Sequence, residues 1–387
     1  MSTSPERPCP WGVGFSYRTC VHNEVMRCAA MFDFLEVPSD DYADPAKRER
    51  NDPGEALLQE VCARFPTVGH GTHMSIGSAA NPESVYFEQI VDFAARNPIS
   101  EYSEHMSFTR GGDEHIAGFI CIPYTDLGVA ATVKNAKLAR ARIGLPFLLE
   151  NVTYHFAIPG ATMAEHEFLG RVSEQADTGL LIDITNVYIN AINNRYDPVE
   201  FIRKLPGDRV LHAHFCGVSE EHNYLWDTHR EPTTKEIWDL LDETLACTDL
   251  RSVILERDEK FDPFNQILEE VWHAREVWSR HRPIKAPPEI APTRYDPQPD
   301  YTDDSSHSEE LALFQKVLMD VLLSEKLSKA LDKEGESALK HTGLGADERK
   351  VIAAIPPKRR EILGGSARWI RAEKKQKERV AQRVIGS

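Results

Sequence analysis

Eight side chains of metal-binding type punctuate the chain at comparable places. His70, His105, Glu150, Asp183, His214 and Glu256 each lie near the end of a short apolar run, and Asp227 and His229 follow the seventh run in the loop WDTHREP. The runs fall at 12–18, 32–38, 67–74, 99–108, 146–152, 179–187, 209–217 and 252–258. A carboxylate or imidazole inside a buried strand is costly unless something pairs it. Two or three hard or borderline cations would satisfy this set together, and ligation by nitrogen and oxygen without thiolate suits Fe, Mn or Zn without separating them.

Taken singly, each residue has a plainer role. Glu150 reads as a salt-bridge partner, and Glu256 as a carboxylate neutralised by the adjacent Arg257. In HAHF, His212 and His214 alternate and so share a face; His214, nearer the strand end, is the preferred ligand. His73 should point away from His70 and pack rather than ligate. The Ser-Ile-Gly-Ser that follows suits a helix cap or an anion site. No GxSxG, Walker loop, HExxH or zinc-finger spacing competes with a metal cluster.

The elements that must position these residues alternate. Helical patterns at 81–97, 125–143, 162–176, 233–247 and 263–280 lie between the runs, which predicts βαβ units and a parallel sheet. Eight units in about 270 residues is the size of a (β/α)8 TIM barrel, whose sites form at the C-terminal ends of the strands. His105, Glu150, Asp183 and Glu256 all come after their apolar stretch, on that side. The doubly wound open sheet is the weaker alternative, because no Gly-rich phosphate loop follows the first strand.

The predicted organisation is a barrel over 1–282, a Pro-rich linker over 283–305 and a small all-α appendage over 306–387. The appendage should hold one long amphipathic helix at 308–334, a short helix within HTGLGADERKVIAAIP and a final helix at 366–384. A net charge of −16 argues against a nucleic-acid partner held by phosphate contacts, although 366–387 is basic. No run approaches a membrane span and the N-terminus lacks a secretory h-region, which points to the cytoplasm. The seven cysteines contain no CxxC pair and read as reduced thiols, with Cys216 set apart by its place among the candidate ligands.

Over about 12–280 the chain resembles the DUF692 family, the multinuclear non-heme iron-dependent oxidative enzymes (MNIO). The resemblance rests on GVGFSYR, FDFLEVPSDDY, HGTHMSIGS, SEHMSF, IPYT, LLENV, LLIDITNVYINA, HAHFCG, DTH and ILERD, in that order. It implies a xylose-isomerase-like barrel holding two or three irons, with O2 as co-substrate. It also implies oxidative modification of a ribosomally synthesised peptide, often at Cys or a C-terminal residue, in concert with a protein that recognises the precursor. Matched by motif, its ligands are His70, His105, Glu150, Asp183, His214, Asp227, His229 and Glu256. Asn151, Asn186, Asp258 and Cys216 are expected beside the metals or the substrate, Cys216 as a pocket wall rather than an obligatory ligand. Three places depart from the family pattern: Ile184-Thr185 within a D-V-N-N motif, Val218 where a His is common, and Arg257 where a Trp is common. A divalent-metal sugar isomerase or hydrolase on the same barrel, and a non-catalytic peptide-binding scaffold, are the competing readings. The appendage would either brace the barrel's helical shell or stand in for the leader-recognition partner.

Overall fold

The computed structural model describes residues 10–44, 53–80, 84–111, 114–154, 160–221, 224–285 and 308–361. In chain order the strands are β1 (Gly12–Ser16), β2 (Phe34–Pro38), β3 (Thr67–Gly71), β4 (Ile99–His105), β5 (Ser107–Gly111), β6 (Glu114–Cys121) and β7 (Phe147–Glu150). They continue as β8 (Gly179–Asp183), β9 (Val210–Phe215), β10 (Ser219–Glu221), β11 (Tyr224–Trp226) and β12 (Ser252–Leu255). The helices are α1 (His22–Arg27), α2 (Pro53–Arg64), α3 (Ser84–Arg96), α4 (Asp126–Ile143), α5 (Glu165–Ala176) and α6 (Ile184–Asn194). They continue as α7 (Pro198–Arg203), α8 (Lys235–Cys247), α9 (Phe264–His281), α10 (Ser308–Leu323), α11 (Glu325–Glu334) and α12 (Ala346–Ala353).

Eight strands close a barrel in the order β1-β2-β3-β4-β7-β8-β9-β12, each parallel to its neighbours. The architecture is the (β/α)8 barrel expected, with helices following it in the C-terminal part of the chain. Alternation along each strand divides the side chains between two layers. Val13, Leu35, Phe147, Leu149, Ile182, Phe215 and Val253 belong to the main core shared with the helices. Phe34, Val68 and Ile254 form a separate small cluster, as do Leu148, Leu181 and Leu211. Two residues after Phe34, Val68, Leu148, Leu181 and Ile254 stand Glu36, His70, Glu150, Asp183 and Glu256. An apolar plug thus underlies a polar floor.

The predicted runs needed several corrections. The run 179–187 is a strand only to Asp183; α6 starts at once, and the Asp183 carboxylate caps it by accepting the Asn186 backbone N–H at 2.9 Å. The run 99–108 breaks after His105, and the chain then makes the unforeseen antiparallel hairpin β5–β6. A second hairpin, β10–β11, precedes Asp227. The single helix expected at 308–334 is two, because Ser324 leaves helical geometry and its hydroxyl caps α11 through the Leu327 N–H at 3.2 Å. The Ser-Ile-Gly-Ser segment caps no helix among the described residues. Ser75 Oγ accepts the Thr109 N–H at 2.8 Å and Ser78 Oγ donates to the Arg110 carbonyl at 2.9 Å, stitching the loop after β3 to β5. The helix expected at 366–384 and the linker beyond residue 285 lie outside the described residues.

The C-terminal helices do not seat only on the barrel's helical shell, as one sequence reading expected. Phe108 and Ile120 of the β5–β6 hairpin share one apolar cluster with Phe314, Leu318, Met319, Leu322, Leu339 and Ile352. Gln315 of α10 spans the joint: its Oε1 accepts the Ala79 N–H at 3.0 Å and its Nε2 donates to the Gly77 carbonyl at 2.8 Å. Gly111 lies so close to α10 that a Cβ there would come within 2.7 Å of the Gln315 carbonyl oxygen. At the other side of the unit, Arg359 stacks over Tyr224 of β11 at 4.3 Å. The helical unit therefore touches both hairpins, which rise from the fourth and seventh barrel strands.

Candidate metal centre

The strand ends bring the sequence-predicted residues together. His70 Nε2 lies 3.4 Å and His105 Nε2 3.5 Å from Glu150 Oε2. The two rings are 4.8 Å apart, and the His70 and His214 rings 5.2 Å. His214 Nδ1 sits 3.2 Å from Glu150 Oε1 and 3.0 Å from Glu256 Oε2. Potential ligand atoms of His70, His105 and Glu150 all lie within 4.8 Å of one another, as do those of Glu150, Asp183, His214 and Glu256. A third such group joins Cys216, Asp227 and His229. A fourth joins His229, Glu256 and Asp258. All eight predicted ligands fall in these groups, and Glu150, Glu256 and His229 each belong to two.

Neighbouring groups fix which imidazole nitrogen faces inward. His105 Nδ1 donates to the Gly71 carbonyl at 3.0 Å, leaving Nε2 to face Glu150. Ser103 Oγ donates to the Gly69 carbonyl and accepts from His70 Nδ1 at 2.8 Å, so His70 Nε2 is likewise free; it is buried and has no hydrogen-bond partner. Such outer partners orient and strengthen imidazole ligands. Phe119 of β6 stacks on the His105 ring at 4.1 Å with an interplanar angle of 11°. The β5–β6 hairpin thereby holds a candidate ligand.

The sequence analysis passed over Glu36. It is fully buried on β2 and accepts from His214 Nε2 at 2.9 Å, which turns His214 Nδ1 toward Glu150 and Glu256. The signal was present: Glu36 interrupts the apolar run FDFLEVP, following Phe34-Leu35 as Glu150 follows Leu148-Leu149. Arg257 does not neutralise Glu256, contrary to the plainer reading. Its guanidinium turns away to Glu270 at 2.6 Å and the Arg230 carbonyl. His212 shares the face of His214 but sits lower in the barrel, paired with Glu101 at 2.7 Å. His73 stays away from the cluster and meets Asp40 at 3.0 Å.

Asn151 and Asn186 hold Asp183 in place. Asn151 accepts the Asp183 N–H at 2.8 Å and donates to its carbonyl at 3.1 Å, while Asn186 Nδ2 donates to the Asn151 carbonyl at 3.2 Å. Asp258 accepts from His229 Nδ1 at 3.0 Å and is itself paired with Arg18.

The electrostatics are those of a site short of positive charge. Burial, then the charges of Asp227, Glu150 and Glu256, push Asp183 well above the usual carboxylate range. Burial opposes ionisation of Glu256, yet His229 and His214 hold it well below that range. Burial likewise disfavours a charged His214, but Glu36, Glu256 and Glu150 raise it well above an ordinary imidazole. Burial also disfavours a charged His229, but Asp227 and Glu256 raise it well above an ordinary imidazole. Buried Glu150 Oε2, like His70 Nε2, has no hydrogen-bond partner. Orphaned acceptors in a nitrogen- and oxygen-rich cluster fit two or three bound divalent ions.

Comparison with known proteins agrees with this geometry. Residues 12–279 match the family described as RiPP precursor modification enzyme MbnB/TglH/ChrH. A UPF0276 protein of Nitrosospira multiformis is 32% identical over 253 residues, covering 65% of this chain and 87% of its own length. A UPF0276 protein of Caulobacter vibrioides is 31% identical over 254 residues, covering 65% and 88%. Among solved structures, D-psicose 3-epimerase from Clostridium cellulolyticum matches 71% of this chain and 98% of its own at 14% identity and a TM-score of 0.43. Endonuclease IV from Thermus thermophilus matches 71% and 100% at 15% identity and a TM-score of 0.42. With strand-end carboxylates and imidazoles in place and the match running through every barrel strand, the chain belongs to the MbnB/TglH/ChrH family of RiPP precursor modification enzymes.

Proposed function

We propose that the protein is an iron- and O2-dependent oxidoreductase that modifies a ribosomally synthesised precursor peptide at a Cys or a C-terminal residue. The observation that carries this reading is the sharing of Glu150 between two ligand groups, which favours a multinuclear centre over a lone ion. His70, His105 and Glu150 would hold one ion; Glu150, Asp183, His214 and Glu256 a second; Asp227 and His229 contribute to a third. Bound iron would supply the redox chemistry by which O2 oxidises the peptide. The chain's own part is to fix the ligands through Ser103, Gly71, Glu36 and Asn151, and to exclude water from the buried floor. Precursor capture falls to the helical unit, with the basic 366–387 segment attracting an acidic leader in place of a separate recognition protein.

The test is metal analysis of anaerobically purified protein with O2 uptake in the presence of precursor. About two to three irons per chain are expected, with precursor-dependent O2 consumption. Both should fall in His214→Ala and Glu256→Ala. Full turnover with Zn or Mn and no O2 uptake would overturn the reading, as would unchanged iron in both variants.

A further inference from the structure

The Cys216–Asp227–His229 group differs from the other three, because one of its members is a thiol. Cys216 follows β9, is 1% exposed, and offers its Sγ within 4.8 Å of ligand atoms from Asp227 and His229. Reciprocal hydrogen bonds between its backbone and the Thr185 side chain, at 2.9 and 3.2 Å, hold it there. His229 has Nδ1 committed to Asp258, and Arg18 secures Asp258 from behind. That leaves Nε2 facing Asp227 Oδ1 at 2.8 Å. His229 adopts φ 48°, a conformation that costs a residue with a side chain energy and places the ring where an extended backbone would not. A thiol, an imidazole nitrogen and a carboxylate oxygen thus lie within 4.8 Å of one another.

From this convergence we infer that Cys216 is a thiolate ligand of a third divalent-metal position, completed by His229 Nε2 and Asp227 Oδ1. This departs from the pocket-wall role expected from the sequence, and it rests on the multinuclear reading above. As the metal–sulfur bond forms, the thiol proton leaves to solvent. A mixed S/N/O set is softer than the N/O groups beside it, so this position should rank metals differently from its neighbours.

The experiment uses the full-length chain stripped with chelator and titrated anaerobically with Co2+. A near-ultraviolet sulfur-to-cobalt charge-transfer absorption is expected. In Cys216→Ser that absorption should vanish while the chain still binds cobalt, with the count lower by about one ion. A Cys20→Ser/Cys247→Ser variant, which removes two exposed thiols, should keep the absorption. A Cys216→Ser protein with the wild-type absorption and count overturns the inference. So does cobalt binding by the wild type with no thiolate absorption, an outcome that leaves the multinuclear reading standing. Failure of the wild type to bind cobalt at all overturns both.

Discussion

A buried carboxyl outside the metal cluster gives the clearest pH prediction at the scale of single residues. Glu165 opens α5 almost wholly buried; burial pushes its pKa up to about 8, while hydrogen bonds from Tyr124 and Tyr154 pull the other way. Because the folded value lies above the ordinary 4.5, the stability it contributes is complete below about pH 4.5 and is lost as pH rises through about 8. Glu165→Gln should therefore lose less stability than the wild type as pH rises from 5 to 9. The wild type should lose on the order of a few kcal/mol over the same range. Parallel thermal melts check this; identical pH profiles would refute it. The same scale shows what a sequence reveals. Six of the eight candidate ligands were legible because each breaks an apolar run, and Asp227 and His229 because they form a D-x-H pair in the loop after one. Glu36 breaks one too, but its partner His214 lies 178 residues away, and no local pattern announces that pairing. The turn of Arg257 toward Glu270 was equally hidden, since direction depends on which element packs outside the strand.

Between elements, the barrel strands were legible from periodicity and the hairpins were not. β5 follows His105 after one residue, so a single apolar run covers two strands of different sheets. The function of β5–β6 lies in what it touches on its two sides. Phe119 presses on His105, and Phe108 meets α10. Phe119→Ala should weaken metal binding at the His70–His105–Glu150 group by about 10-fold, the usual cost of losing an outer support of a ligand. Chelator competition measures it, and unchanged affinity would show that the stack does not hold the ring. Gln315→Ala removes two buried hydrogen bonds and strands the Gly77 carbonyl and the Ala79 N–H. About 1–3 kcal/mol of stability should go with them, visible as a lower denaturation midpoint.

Considered whole, the chain joins a barrel to a helical unit that was legible as a composition change but not as a contact. Periodicity marked the apolar stripe of α10 without naming its partner. That partner includes Phe108 and Ile120, whose burial is worth roughly 1.5–3 kcal/mol each. A chain ended near residue 305 should therefore melt lower and hold less metal, because the hairpin that steadies His105 loses its cover. Thermal scans with metal analysis decide this; a truncated barrel with unchanged melting and metal content would show the unit to be dispensable for both. No helix among the described residues is long and apolar enough to cross a membrane.

The joint between Gln315 and the loop after β3 spans 236 residues of sequence. During synthesis at about 5–20 residues per second, that interval lasts roughly 12–47 s. The five later barrel strands, β4, β7, β8, β9 and β12, are made within it, while the apolar side of β5–β6 waits for a helix not yet translated. The nascent barrel must therefore pass through a stage with Phe108 and Ile120 bare, and ribosome-stalled chains ending before α10 should bind holdase chaperones where those ending after α12 do not.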